Sequence, residues 1–425
     1  MENKIEKTGL RKNFLTILLL AFAGAMIYGL PYFRYYYYDA YVAAYNLNNT
    51  QMGTLGSAFG VMGVASYLIG GVLADKLPAK MLLNFSLVAT GLGGFLHLFF
   101  TNFTALVVIY GLWGVTSLLT FWPALMKIVR TQAHDDEQSR AYGLFEGGRG
   151  VTNAVHMAIA TAIFAFFNAK AMPELGLRWI ITFYSIFPIV CAAIFHFILK
   201  EPIKTENSKS TKTSFKDIFT VFKMPAVWMV VIITYTTYTF NLSYYYFTPY
   251  ATNIMGLSAV VAAVITVLAQ YARPVASPVG GALADKFGKS QVMIIGFIIM
   301  GLTTILIMFV PNFSVSVQTT IMVAACLVFY LGMYSNFGIY FSMLSEGGVP
   351  LEVSGVAIGI VSTLGYLPEV VSPMLAGRTL DAVEGIGGYY QYFYYMLGCA
   401  VVGIITCIIW SKTYGKKAKE EKLAK

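Results

Sequence analysis

The sequence predicts an all-α membrane protein of about twelve transmembrane helices, built as two six-helix pseudo-symmetric bundles. Three observations lead there. Of the 425 residues, 57% are hydrophobic and only 12% charged, and the mean hydropathy is +0.67; a soluble domain has roughly a quarter of its residues charged. The apolar residues gather into runs of the length a bilayer requires, about 20 residues each. One short motif also occurs twice, half a chain apart.

The runs cover 14–38, 51–74, 81–100, 105–129, 141–167 and 179–199, and then 225–247, 257–284, 292–310, 316–344, 353–376 and 389–410. The break between the two sets, 200–223, contains KEPIKTENSKSTKTSFKD and reads as a solvated cytoplasmic linker. It separates an N-terminal bundle, 1–199, from a C-terminal bundle with a basic tail, 224–425. The first run lacks a small-residue cleavage site and carries Arg34 and Asp39 at its far end, so it reads as a retained span.

The positive charges set the expected orientation. With the N-terminus inside, all but six of the 29 Lys and Arg fall on the inner side, the six being Arg34, Arg149, Lys170, Arg178, Arg273 and Arg378. This imbalance predicts both termini in the cytoplasm of a cytoplasmic (inner) membrane protein. The same scattering between apolar runs leaves no continuous basic face, so the net charge of +9 does not point to nucleic acid. Cys191, Cys326, Cys399 and Cys407 sit in apolar runs without CxxC spacing and read as small hydrophobes. Walker loops, HExxH and GxSxG are absent, so the sequence suggests no enzyme, metal or cofactor.

GGVLADK at 70–76 recurs as GGALADK at 280–286, an offset of 210 residues, each copy closing an even-numbered run. Internal duplication is how many transporters build two bundles. The glycines would let helices approach closely. Asp75 and Asp285, at the membrane edge, could latch the bundles in one state, or could simply cap helix ends.

These residues resemble the signature of the major facilitator superfamily, G-x-L-a-D-r-x-G-r-[rk], found between helices 2 and 3 and again between 8 and 9. The second copy continues Phe287-Gly288-Lys289; the first continues Leu77-Pro78-Ala79-Lys80 and lacks the family glycine. The resemblance extends over nearly the whole chain and implies a secondary transporter working by alternating access. A narrower likeness, in the stretch 354–381, the Asp-Lys-Leu-Pro-Ala-Lys loop and Trp228…Tyr238…Pro249, is to the organophosphate:phosphate antiporter branch. That branch holds phosphate on arginines of helices 1 and 7. Arg34 lies within a couple of positions of the first, and Asn241 stands at the second, so half of that clamp is missing.

Ionisable groups inside spans are costly and mark functional sites. Arg34, in Pro-Tyr-Phe-Arg-Tyr-Tyr-Tyr-Tyr, shares a helical face with Tyr37, Tyr38 and Tyr41 and offers a planar fork for carboxylate or phosphate; the alternative is an arginine snorkelling in an aromatic belt. Glu146 and Arg149 are spaced to pair, as a gate or as a static brace. Arg273 precedes Pro274 deep in helix 8, suggesting a bend beside a cavity. Glu369, after Pro368 in helix 11, reads as a partner for Arg273 or a proton site. Tyr244–Tyr246 would point round most of a helix, some toward a cavity and some toward lipid. His97, His156 and His196 read as hydrogen-bonding groups. The function expected is a monomeric carrier of a small organic anion by proton symport or exchange. A multidrug exporter of the same fold, or a membrane sensor that keeps the fold without transporting, are the competing readings.

Overall fold

The computed structural model describes residues 9–133, 138–200, 215–350 and 353–416; along 67–76, 138–140, 142–143, 215–218 and 354–355 only the backbone is described. Most of the linker, 201–214, therefore lies outside the described residues, but the segment that follows it forms a helix, Phe215–Phe222. Every regular element among the described residues is helical. The chain divides into two compact units, Met1–Leu47 with Ala58–Lys209, and Asn48–Ser57 with Ser210–Lys425.

In the first unit, α1 (Phe14–Met26) is bent by 49° from α2 (Gly29–Tyr36). The break has two local causes. Pro31 has no N–H to give to the preceding turn, and a Cβ at Gly29 would fall 2.2 Å from the ring of Tyr184, so the chain turns where only glycine admits that ring. A second interruption at Tyr37 (φ −122°, ψ 43°) separates α2 from α3 (Tyr38–Ala44). The long α4 (Asn49–Lys76), α5 (Ala79–Phe99) and α6 (Phe103–Gly114) follow. From α6 a π-helical stretch, Val115–Phe121, leads into α7 (Trp122–Thr131). Pro123 cannot donate to the turn before it, and Ser117 and Thr116 instead donate back to the Trp113 carbonyl at 2.5 and 3.4 Å; the ladder widens there. α8 (Gln138–Asn168) and α9 (Pro173–Ile198) complete the unit, whose core is filled by Ile17, Leu20, Leu83, Leu125, Phe145 and Phe195.

The second unit runs through α10 (Phe215–Phe222), α11 (Pro225–Ser243), the 3-10 turn Tyr244–Tyr246, α12 (Phe247–Asn253), α13 (Ala259–Phe287), α14 (Lys289–Phe309), α15 (Val315–Phe337), α16 (Met343–Glu346), α17 (Ser354–Gly365), α18 (Pro368–Ala382) and α19 (Ile386–Trp410). The first turns of α4 belong to this unit because of α18. Asp381 accepts hydrogen bonds from the Asn49 and Thr50 backbone N–H at 3.1 and 2.6 Å and from the Asn49 amide at 2.9 Å. Gly53 and Gly377 make room for that approach: a Cβ at either would lie 2.2–2.3 Å from a carbonyl oxygen of the other helix.

Nine helical spans among the described residues are long and apolar enough to cross a membrane, and ten if the bent α1–α2 pair is one span. The expected runs at 51–74 and 225–247 coincide with α4 and α11, 28 and 19 residues long. α11 is rich in Thr and Tyr, which lowers its hydropathy. The two signature junctions differ in backbone. Gly288 precedes α14 at φ +102°, a left-handed value that favours glycine, whereas Pro78 precedes α5 at φ −62°. Gly280 does admit a close helix contact, since a Cβ there would meet Ser335 of α15 at 2.2 Å.

Candidate functional site

Arg34 is 1% exposed, and this decides between a buried guanidinium and one snorkelling to an interface. A buried cation needs compensation, and a carbonyl and two aromatic rings contribute to it. Nη1 donates to the Pro31 carbonyl at 2.5 Å, which the fixed φ of proline presents one turn back. The guanidinium carbon lies 3.9 Å from the Tyr35 ring centroid and 4.7 Å from that of Tyr110 on α6, both within cation–π range.

The break at Tyr37 interrupts the helical register that would put Tyr37, Tyr38 and Tyr41 on one face with Arg34. Tyr37 shares a hydrogen bond with Thr161 at 3.3 Å and packs on Phe164. Tyr38 is buried. Tyr41 is linked to the Arg34 site through Tyr110, whose hydroxyl donates to it at 3.4 Å. From Tyr41 the network continues to His97 Nε2 at 2.7 Å, and from His97 Nδ1 to Tyr45 at 3.2 Å. A neutral imidazole has one donor and one acceptor. With Tyr110 donating into Tyr41, Tyr41 donates to Nε2 and Nδ1–H donates to Tyr45. The His97 ring stacks on Trp113 at 5.7 Å and 11°. Burial pushes the Tyr45 phenol well above its usual range, so it stays protonated. Tyr35, Tyr110 and Trp113 were not singled out from sequence: Tyr35 is one of five aromatics in six residues, and nothing in the α6 sequence marks Tyr110 as facing α2.

Arg149 and Glu146 form an ion pair at 2.8 Å. Arg149 Nε also donates to the Gly24 carbonyl of α1 at 3.3 Å, and its guanidinium lies 4.7 Å from the Trp122 ring centroid. An arginine held by a carboxylate, a carbonyl and an indole at once is better suited to bracing α8 against α1 and α7 than to moving.

In the second unit, Glu369 is 6% exposed and accepts a short hydrogen bond from Tyr238 of α11. It lies in the first turn of α18, just after the break at Tyr366 and Leu367 and next to Pro368. A discontinuous span of this kind exposes a helix N-terminus inside the membrane, a favourable place for a carboxylate. The Tyr238 ring packs 4.5 Å from that of Tyr366, whose hydroxyl shares a hydrogen bond with Tyr340 at 2.9 Å. Arg273 is exposed on α13, with its guanidinium 5.8 Å from the Tyr334 ring centroid. Asn241 is half-buried on α11.

Contrary to expectation, none of Tyr244, Tyr245 and Tyr246 faces outward; all three are buried, because they form a tight turn between α11 and α12 and pack on Tyr330 and Tyr392. Asp285 is exposed in the last turn of α13, and the side chain of Asp75 lies outside the described residues. At the second signature it is Lys289 that makes contacts, donating to the Ser342 carbonyl at 2.7 Å and lying 3.9 Å from Glu346.

The family model of the major facilitator superfamily matches residues 14–373. The chain belongs to that superfamily. Inner membrane protein YihN of Escherichia coli (strain K12) is 27% identical over 420 residues, 96% of this chain and 98% of that protein. Inner membrane protein YqcE of the same organism is 25% identical over 403 residues, 93% of each. A crystal structure of a mutant of the nucleoside transporter NupG shares the fold, with a TM-score of 0.75 at 14% identity over 93% of this chain and 98% of that one. As a facilitator-superfamily member the chain is a multi-pass membrane transporter of small solutes and not an enzyme.

Proposed function

We propose that this transporter moves a small organic anion across the inner membrane by alternating access, coupled to a proton or to counter-exchange, as a monomer with both termini in the cytoplasm. The observation that carries the reading is Arg34: a guanidinium buried inside an apolar span, with the Tyr35 and Tyr110 rings packed against it. A charge inside a span is costly and marks a functional site, and the planar guanidinium fork matches a carboxylate or phosphate. Tyr35 and Tyr110 fix the plane of the fork, and Tyr41, anchored on His97, holds Tyr110. Asn241 and Arg273 offer further polar contacts in the second unit. The inner-membrane relatives support the location.

Glu369 is the acid assigned to coupling. Its carboxylate is buried, sits at a helix start and is met by a phenol, so gaining a proton would weaken the charge-assisted bond from Tyr238 and ease movement at the α17–α18 break. Asp75 and Asp285 are assigned to latching the bundles in one state, and Glu146 with Arg149 to bracing α8. The test is uptake of labelled organic anions into proteoliposomes with and without a pH gradient. Anion uptake that depends on Arg34 supports the reading. Transport of neutral or cationic solutes unaffected by Arg34→Ala contradicts it, and binding without any uptake would make the protein a sensor.

A further inference from the structure

From a groove on the membrane-facing side of the first unit we infer a binding site for an anionic, hydroxyl-bearing phospholipid, of which phosphatidylglycerol is the simplest. The groove has a volume of about 610 Å³ and is lined by Lys80, Asn84 and His196 at one end and by Met81, Phe85, Val88 and Leu92 beyond. This is within the range of sites that hold small molecules. The four apolar residues follow one face of α5 at helical spacing and are 37–54% exposed, far more than core residues. In a membrane protein such a stripe meets acyl chains.

The polar end is chemically specific. Lys80 opens α5, and its ammonium donates to the His196 carbonyl on α9 at 2.7 Å; this holds a positive charge over the mouth of the groove, next to the exposed His196 imidazole. Lys80 and His196 are the first residues of the groove at the end of the span, which is headgroup depth for a helix of 21 residues. One turn deeper, Asn84 has a buried side-chain oxygen without a hydrogen-bond partner, and a buried acceptor left unmade is costly. The set therefore asks for a ligand with three features: an anionic group beside Lys80 and His196, a hydrogen-bond donor for Asn84, and an acyl chain along Met81, Phe85, Val88 and Leu92. Phosphatidylglycerol has all three. Phosphatidylethanolamine would bring its own ammonium to Lys80, and phosphatidylcholine has no donor for Asn84.

Native mass spectrometry of the full-length protein, stripped of lipid and titrated with phosphatidylglycerol, phosphatidylethanolamine and phosphatidylcholine of matched chains, tests this. One phosphatidylglycerol should be retained at least fivefold better than either alternative. Lys80→Ala should cut the ratio over phosphatidylcholine several-fold, and Lys80→Arg should keep it. Asn84→Leu should lower retention of phosphatidylglycerol several-fold while leaving that of phosphatidylcholine unchanged. Thermal unfolding of the wild type alone supplies a second measure, because a ligand that binds the folded state raises the transition temperature: phosphatidylglycerol should raise it and phosphatidylcholine should not. Equal retention of all three lipids, preference for phosphatidylethanolamine, or a preference indifferent to Lys80→Ala overturns the site.

Discussion

At the scale of single residues, the partners of Arg34 give separable expectations. Arg34→Lys keeps the charge but loses the planar fork, and removing a charge-assisted hydrogen bond costs about 1.5–3 kcal/mol, roughly ten- to a hundredfold in affinity. Arg34→Ala should abolish binding of the transported anion. Tyr110→Phe keeps the ring face over Arg34 and should hold affinity within a few-fold, whereas Tyr110→Leu removes the cation–π contact and should lose about 0.5–2 kcal/mol. Titration calorimetry on the purified protein would rank these variants, and equal effects of the two Tyr110 substitutions would show that the ring face contributes nothing. Glu369→Gln should abolish gradient-driven accumulation while counterflow exchange persists; equal loss of both would assign Glu369 to binding or structure. Arg34 and Glu369 are legible in the sequence because a charge in an apolar run is conspicuous. Their partners are not: Tyr110 and Tyr238 are ordinary aromatics in helices that only tertiary packing brings to those charges.

At the scale of elements, the spans were readable from hydropathy and the breaks only partly so. Pro31, Pro123 and Pro368 each stand at an interruption, Pro123 just after the π-helical stretch at Val115–Phe121, but nothing in the local sequence marks the irregular Tyr37. Asp381 shows the same limit. Nothing in the sequence links it to Asn49 and Thr50, more than 300 positions away, yet it caps the start of α4. Substituting a capping aspartate by alanine costs about 0.5–2 kcal/mol. Asp381→Ala should therefore lower the unfolding temperature and speed modification of a cysteine placed at Thr54 by a membrane-impermeant reagent. Unchanged reactivity would mean that the glycine-lined contact at Gly53 and Gly377 alone secures the helix. Gly280→Val should be more damaging, since the added carbon atoms collide with Ser335; overpacking of this kind costs about 1–3 kcal/mol.

For the whole molecule, the apolar runs and the duplicated motif made the superfamily legible, because a bilayer demands spans of about 20 apolar residues and transporters repeat their bundles; the charge imbalance adds the expected orientation. Tags at Met1 and Lys425 should both be protected in intact cells, and an exposed tag would reject the orientation. The kind of solute was far less legible, since one arginine and a handful of tyrosines constrain charge but not shape. The central claim is that a buried Arg34 makes this a carrier of organic anions. Its most direct test is thermal unfolding of the wild type and Arg34→Ala against a panel of small carboxylates, sulfonates and organic phosphates, with neutral and cationic compounds of similar size beside them. The account predicts that one or more anions raise the wild-type transition temperature, and that Arg34→Ala, folded but unresponsive, shows no shift with the same compounds. Stabilisation by neutral or cationic compounds alone, or equal shifts in wild type and Arg34→Ala, would contradict it.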